Sequence, residues 1–195
     1  LHSVATAFPS VTGVAYAPFL TGRFPGPCGL PGLRWFDRSH TRCRRFPYAR
    51  SYLGAEMRHL DEDLDASHPT LFELAPSRFN AMSMLGRGTS SRERLGRDAR
   101  TLARAAYTHW IGNVDGWIAL DEHVARVSTR HIIERDPDFA CIALLGLDKA
   151  SHTAGHDSAV ARRALATIDG AVAKLRSALE RANRWDETRI WIVSD

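Results

Sequence analysis

Cysteine is scarce in this chain: Cys28, Cys43 and Cys141 are the only three among 195 residues. Thiols so few and so scattered exclude a disulfide framework as the source of stability. Cys141 lies inside an apolar run and reads as an inert core residue. No apolar stretch is long enough to span a membrane. Neither a helix-turn-helix nor a zinc-finger pattern accompanies the net charge of +4, so no specific nucleic-acid partner is expected. The positive excess is largely arginine, at Arg34, Arg38, Arg42, Arg44, Arg45 and Arg50 and again from Arg87 to Arg104. Such clusters suit a solvated face or the attraction of an anionic substrate. With 44% hydrophobic and 25% charged residues, the composition is that of a globular domain with a substantial core. The first residue is Leu1 rather than methionine, and the last, Asp195, follows directly on a strand-like run. The expectation is a single partial domain over 1–195, a piece of a longer one, from which neither a signal peptide nor a compartment can be inferred.

What is present is concentrated between Asp138 and His156. The run Phe139-Ala-Cys-Ile-Ala-Leu-Leu145 is apolar without alternation and is bounded by Asp136-Pro137 and Gly146. That pattern predicts a strand buried on both faces, as in a parallel sheet covered by helices. Beyond it stand Asp148, His152, Gly155 and His156. In open α/β sheets ligands bind past the carboxyl ends of the strands. Asp148 and His152 offer an oxygen and an imidazole nitrogen four residues apart, which suits a zinc-type ion. The same residues also fit a polar loop in which Asp148 caps a turn.

Upstream, Pro9-Ser10 marks a turn, and a short helix is expected from near Thr12 to a stop at Gly22, with Pro18 as a kink or an early end. Thr12 then stands at a helix N-terminus, either as an anion-facing residue or simply as the N-cap. Pro25 to Gly32 and the following Trp35-Phe-Asp-Arg38 read as an irregular loop, with further loops and one short helix over 39–67. A helix start over Pro69–Leu74, a strand over Arg78–Leu85, a loop over Ser90–Arg97 and helices over Asp98–Ile111 and Trp117–Glu134 follow. Ser158–Ala182 is the clearest helix, with Val160, Ala164, Leu165, Ile168, Val172, Leu175 and Leu179 at helical spacing and Asp157 or Ser158 as cap. Thr188–Val193 is expected to be a second buried strand. Strand, long helix and strand make one right-handed crossover, placing Asp148 and Asp195 at the same sheet edge and strengthening the metal reading. The expected fold class is therefore α/β, a mostly parallel sheet flanked by helices and incomplete at both ends.

Three segments taken together resemble the alkaline phosphatase superfamily, in its type I phosphodiesterase/nucleotide pyrophosphatase branch. Phe8-Pro-Ser-Val-Thr12 with Leu20-Thr-Gly22 resembles the segment carrying that branch's threonine nucleophile. Gly146-Leu-Asp148 with His152-Thr-Ala-Gly155 resembles its Asp-x-x-x-His-x-x-Gly metal motif. Ile192-Val-Ser-Asp195 resembles the strand leading into its Ser-Asp-His-Gly motif. The likeness covers nearly the whole chain apart from about residues 39–115. No Cys/Ser-x-Pro-x-Arg pattern occurs, which disfavours the sulfatase branch.

The resemblance implies a hydrolase of phosphodiester or nucleotide pyrophosphate bonds that uses two divalent metal ions, zinc by preference. Thr12 would be the nucleophile and a ligand of one ion, Asp195 a ligand of the same ion, and Asp148 and His152 ligands of the other. Two ions about 4 Å apart can clamp the attacking and leaving oxygens of an in-line displacement through a phosphothreonine. Gly13, Trp35 and Arg38 are candidate substrate contacts, for a small phosphorylated molecule. One departure is Ala15, where family members often carry a phosphate-holding asparagine. Three further family ligands fall outside the sequence, so the piece as given is expected to bind zinc weakly and to be inactive. Two alternatives stand: a phosphomonoesterase or phosphonate hydrolase on the same metals, or a non-catalytic relative that binds phosphorylated ligands through Arg34–Arg50.

Overall fold

The computed structural model describes residues 6–8, 10–37, 49–96 and 98–194. By contact density the chain divides into two units, one built from Leu1–Pro76, Ser83–Gly88 and Ile192–Asp195, the other from Ser77–Met82 and Thr89–Trp191.

In the first unit a 3-10 turn, Val14–Tyr16, runs into a five-residue helix, α1 (Ala17–Thr21). Pro18 sits in the first turn of α1, where its missing N–H costs nothing, so it starts this helix instead of kinking a longer one. Gly22 ends it in the left-handed conformation (φ 68°), donating its N–H to the Pro18 carbonyl at 3.0 Å. The segment expected to be an irregular loop around Trp35 is instead a strand, β1 (Arg34–Phe36), antiparallel to β2 (Ala49–Ser51). Two short helices follow, α2 (His59–Asp63) and α3 (Leu71–Leu74).

A capping box starts α3. The Thr70 hydroxyl accepts the Glu73 N–H at 3.2 Å, and the Glu73 carboxylate accepts the Thr70 N–H at 2.7 Å. Thr70 also donates to the Arg87 carbonyl at 2.8 Å. Arg87 in turn donates to Glu73 at 3.0 Å and to the carbonyls of Leu64 at 2.6 Å and His68 at 2.5 Å. This member of the second arginine cluster therefore staples its own chain.

The second unit is built on a parallel three-stranded sheet of β3 (Arg78–Ala81), β4 (Arg94–Leu95) and β5 (Phe139–Ile142), in the order β4-β3-β5. β3 and β5 run in register from Arg78 opposite Phe139 to Ala81 opposite Ile142. The helices are α4 (Ala99–Trp110), α5 (Val114–Arg135), α6 (Gly146–Ala154) and α7 (Ala159–Arg181). Asp98, Asn113 and Ser158 cap α4, α5 and α7 with side-chain oxygens. Trp117, Leu120 and Val124 of α5 pack on Phe79 and Ala81 of the sheet. Ile118, on another side of the same helix, packs with Ala150 of α6 and with Ala161 and Ala164 of α7. The fold class is α/β, with a parallel sheet flanked by helices.

Several expected elements change. β5 ends at Ile142, and all four of its residues are half-buried rather than enclosed. Among the described residues its ladder partner is β3. β3 stops at Ala81 because Met82 takes a left-handed conformation (φ 63°), which turns the chain out of the ladder. The loop expected over 90–97 contains a 3-10 turn and β4. Among the described residues no strand forms over 188–194, and Trp191, Ile192 and Val193 are exposed. An apolar run becomes a strand only where a ladder takes up its backbone groups, and here none does. The expected crossover is therefore absent among the described residues, and Asp195 lies outside them.

Thr70 is fully buried and serves three hydrogen bonds. Thr70→Ala is expected to lower stability by roughly 1–3 kcal/mol, read from the chemical unfolding midpoint. An unchanged midpoint would show that the box and the Arg87 staple contribute nothing.

Candidate functional site

The carboxyl end of β5 leads directly into α6, so the stretch that also fitted a polar loop is helical from its first glycine. Helical geometry puts residues four apart on one face. Asp148 and His152 meet there, with Nε2 of His152 3.2 Å from Oδ1 of Asp148. The other carboxylate oxygen of Asp148 is 2.9 Å from Nζ of Lys149. Both members of the pair are accessible, the His152 side chain at 78% and Asp148 at 36%. His156 lies past the helix end beside Asp157, at 3.0 Å, and does not join them.

The position of α6 is set from behind. Asp121 of α5 is 5% exposed, and its two carboxylate oxygens accept the backbone N–H groups of Leu145 at 2.9 Å and Gly146 at 2.6 Å. These are among the N–H groups that no carbonyl within α6 can reach. Gly146 has to be glycine for this approach. A Cβ there would stand 2.7 Å from an Asp121 oxygen and 3.3 Å from the Ile118 backbone. Farther along, Ala150 is fully buried against Ile118, Ala161 and Ala164. Burial pushes the Asp121 carboxyl up to about 6, against the pull of the two N–H bonds, which favour the ionised form.

Asp121 lies inside the helix expected over Trp117–Glu134, and no motif in the sequence marks it. Its signal was there: Trp117, Asp121, Val124 and Ser128 recur at helical spacing on the buried side, and one of them is an acid.

Thr12 belongs to the first unit. It is half-buried, in a turn just before the 3-10 segment. The N-cap of that segment is Gly13 and that of α1 is Tyr16, so Thr12 caps neither. Gly13 has φ 89°, a backbone conformation that favours glycine, and a Cβ on it would lie 2.8 Å from the sulfur of the flexible Met84 side chain. Ala15, in the place of the family's asparagine, is buried.

Trp35 is half-buried and faces Arg50 across the β1–β2 ladder. The guanidinium lies 4.9 Å from its ring centroid, and the Tyr52 ring stands 4.8 Å away, tilted by 51°. Arg50 also pairs with Asp37 at 3.0 Å and with Asp63. One side of the indole is thus occupied by the protein's own cation. Arg38 and Asp195 lie outside the described residues. Among the described residues no group of three or more His, Cys, Asp or Glu side chains is arranged to hold a metal ion. Among the described residues, Asp148 and His152 are the two predicted metal ligands that the structure brings into contact.

The model of the type I phosphodiesterase / nucleotide pyrophosphatase family matches this chain over residues 1–195. No curated protein matches it.

Asp121 generates a pH prediction. Its folded pKa of about 6 lies above the ordinary carboxyl value, so the folded state holds the proton more tightly than the unfolded chain. The contribution to stability is present below about pH 4 and is lost as pH rises through about 6, by on the order of 3 kcal/mol. Relative to Asp121→Asn, which cannot ionise, the wild type should lose stability between pH 4 and 7. Unfolding midpoints that keep a constant separation over that range would contradict the assignment.

Proposed function

The chain belongs to the type I phosphodiesterase / nucleotide pyrophosphatase family, and we propose that it hydrolyses phosphodiester or nucleotide pyrophosphate bonds with Thr12 as nucleophile. Family membership supports the class of reaction. The observation that carries the site is the contact between Asp148 and His152. Two donors on one tetrahedral zinc, each about 2.0–2.1 Å from it, stand about 3.3 Å apart. The oxygen and nitrogen here are 3.2 Å apart, exposed, and at the carboxyl end of a parallel strand. This spacing supports reading the pair as two of the donors to such an ion. In this proposal Asp148 and His152 hold one zinc, while Asp195 and Thr12 contribute to a second. Bound zinc supplies Lewis acidity that lowers the pKa of a hydroxyl and offsets the charge of the phosphoryl oxygens.

The protein's own part is as follows. The Thr12 hydroxyl gives up its proton as its oxygen attacks phosphorus and the bond to the leaving oxygen breaks. The leaving alcohol, nucleotide or phosphate departs with a proton. The phosphorus stays on the threonine oxygen with its other substituent, as a diester that hydrolysis releases as the monoester. Water then displaces the threonine oxygen and regenerates the hydroxyl. Gly13 permits the left-handed turn that directly follows Thr12. Its N–H is a candidate donor to a phosphoryl oxygen, in place of the asparagine that Ala15 replaces. Trp35 and Arg38 remain candidate contacts for the leaving group. Arg50, held by Asp37 and Asp63, is committed to the fold and makes a phosphate-binding role for the Arg34–Arg50 region less favourable.

In the full-length protein Thr12→Ala is expected to abolish diester hydrolysis, and Thr12→Ser to retain measurable turnover because the hydroxyl remains. Asp148→Ala and His152→Ala should each lower zinc stoichiometry with the fold intact, as measured by elemental analysis beside circular dichroism. Wild-type turnover by Thr12→Ala, or full zinc in both ligand variants, would overturn the respective roles. On a panel of aryl phosphate esters, diesters are expected to turn over faster than monoesters. The reverse order would assign the protein to phosphomonoester chemistry on the same residues.

A further inference from the structure

The β5–α6 junction has no cap of its own. Leu145 stands at the N-cap position of α6, and no side chain within the junction bonds the free N–H groups. The acceptor comes instead from another helix, 24 and 25 residues away in sequence. Asp121 uses both oxygens, one for each of two consecutive N–H groups. A single bond would allow the first turn of α6 to pivot, whereas a two-point grip on adjacent peptides fixes its direction. The grip is also tight, since Gly146 leaves no space for even one methyl group between carboxylate and helix. Past this point α6 packs inward through buried Ala150 and partly buried Leu147, neither of which bonds the N–H groups of its first turn. Asp148 follows Gly146 by two residues, and His152 lies one turn beyond.

We propose that Asp121 is a positioning residue for Asp148 and His152, holding the first turn of α6 so that oxygen and nitrogen are presented together. The inference rests on the reading of those two residues as metal ligands and adds to it a buried residue that touches neither substrate nor metal. A neutral side chain cannot replace it fully. Asparagine offers one acceptor and turns an NH2 group toward the second N–H, and alanine leaves both buried N–H groups unpaired.

The test uses the full chain and zinc alone. Zinc affinity is measured by chelator competition, and backbone hydrogen exchange is followed at Leu145 and Gly146, for wild type, Asp121→Asn, Asp148→Ala and Val124→Ala. Val124 is buried on the same helix but takes no part in the grip, so its variant reports what general loosening of α5 does. Asp121→Asn is expected to weaken zinc binding about 10–100-fold, the usual effect of removing a residue that orients a ligand, and to speed exchange at both amides. Val124→Ala should destabilise the fold yet bind zinc as wild type does. If Asp148→Ala weakens zinc binding and Asp121→Asn does not, the positioning role is overturned while the ligand reading stands. If neither changes zinc binding, the ligand reading fails and the proposal with it. If Asp121→Asn does not fold, Gly146→Ala displaces the same carboxylate from the other side and must weaken zinc binding likewise; unchanged binding there also overturns the proposal.

Discussion

Two backbone N–H groups at the start of α6, and one carboxylate that meets both, fix the geometry on which the candidate ligand pair depends. Asp121 is expensive to bury. Its charge loses hydration, and the two N–H bonds recover only part of that loss, which is why its pKa stands near 6. An apolar side chain at the same position would leave both N–H groups without this acceptor and the start of α6 free to pivot. Stability is given up locally for definition of direction, the pattern expected where a fold presents chemistry. Gly146 belongs to the same device, since any side chain there would collide with the carboxylate.

The helices of the second unit were legible in the sequence because their signals are local. Asp98 and Ser158 stand at the N-caps of α4 and α7, and the apolar spacing of α5 and α7 is regular. The start of α5 was read three residues late, because the cap Asn113 precedes the apolar stripe. α6 was not legible as a helix: Gly146, Ser151, His152 and Thr153 are weak helix formers, and the anchor that starts the helix lies on α5. β1 was hidden for a similar reason, since its partner β2 follows a long charged stretch. The run over 188–193 carries strand-forming residues, yet strand formation also needs a neighbour, which composition cannot specify.

The arginines show how far charge alone can mislead. Two members of the clusters, Arg50 and Arg87, spend their donors inside the first unit, on Asp37 and Asp63 and on the carbonyls of Leu64 and His68. Net charge of +4 still favours anionic substrates at long range. Two features stand apart, each within its own unit: the meeting of Asp148 with His152, and the turn at Thr12 followed by Gly13. The first was readable from spacing and gained weight from helical geometry. The second was readable only as a resemblance, since a threonine beside a glycine has many ordinary uses.

The central claim is that a threonine oxygen, and no water molecule, makes the first attack on phosphorus. It is tested most directly by mixing the full-length enzyme with a diester, quenching in acid within a turnover, and locating phosphate by peptide mass spectrometry. The account predicts a phosphoryl or phosphodiester adduct on Thr12 that disappears as substrate is exhausted. Turnover with no adduct on Thr12, or an adduct on another residue, would contradict it.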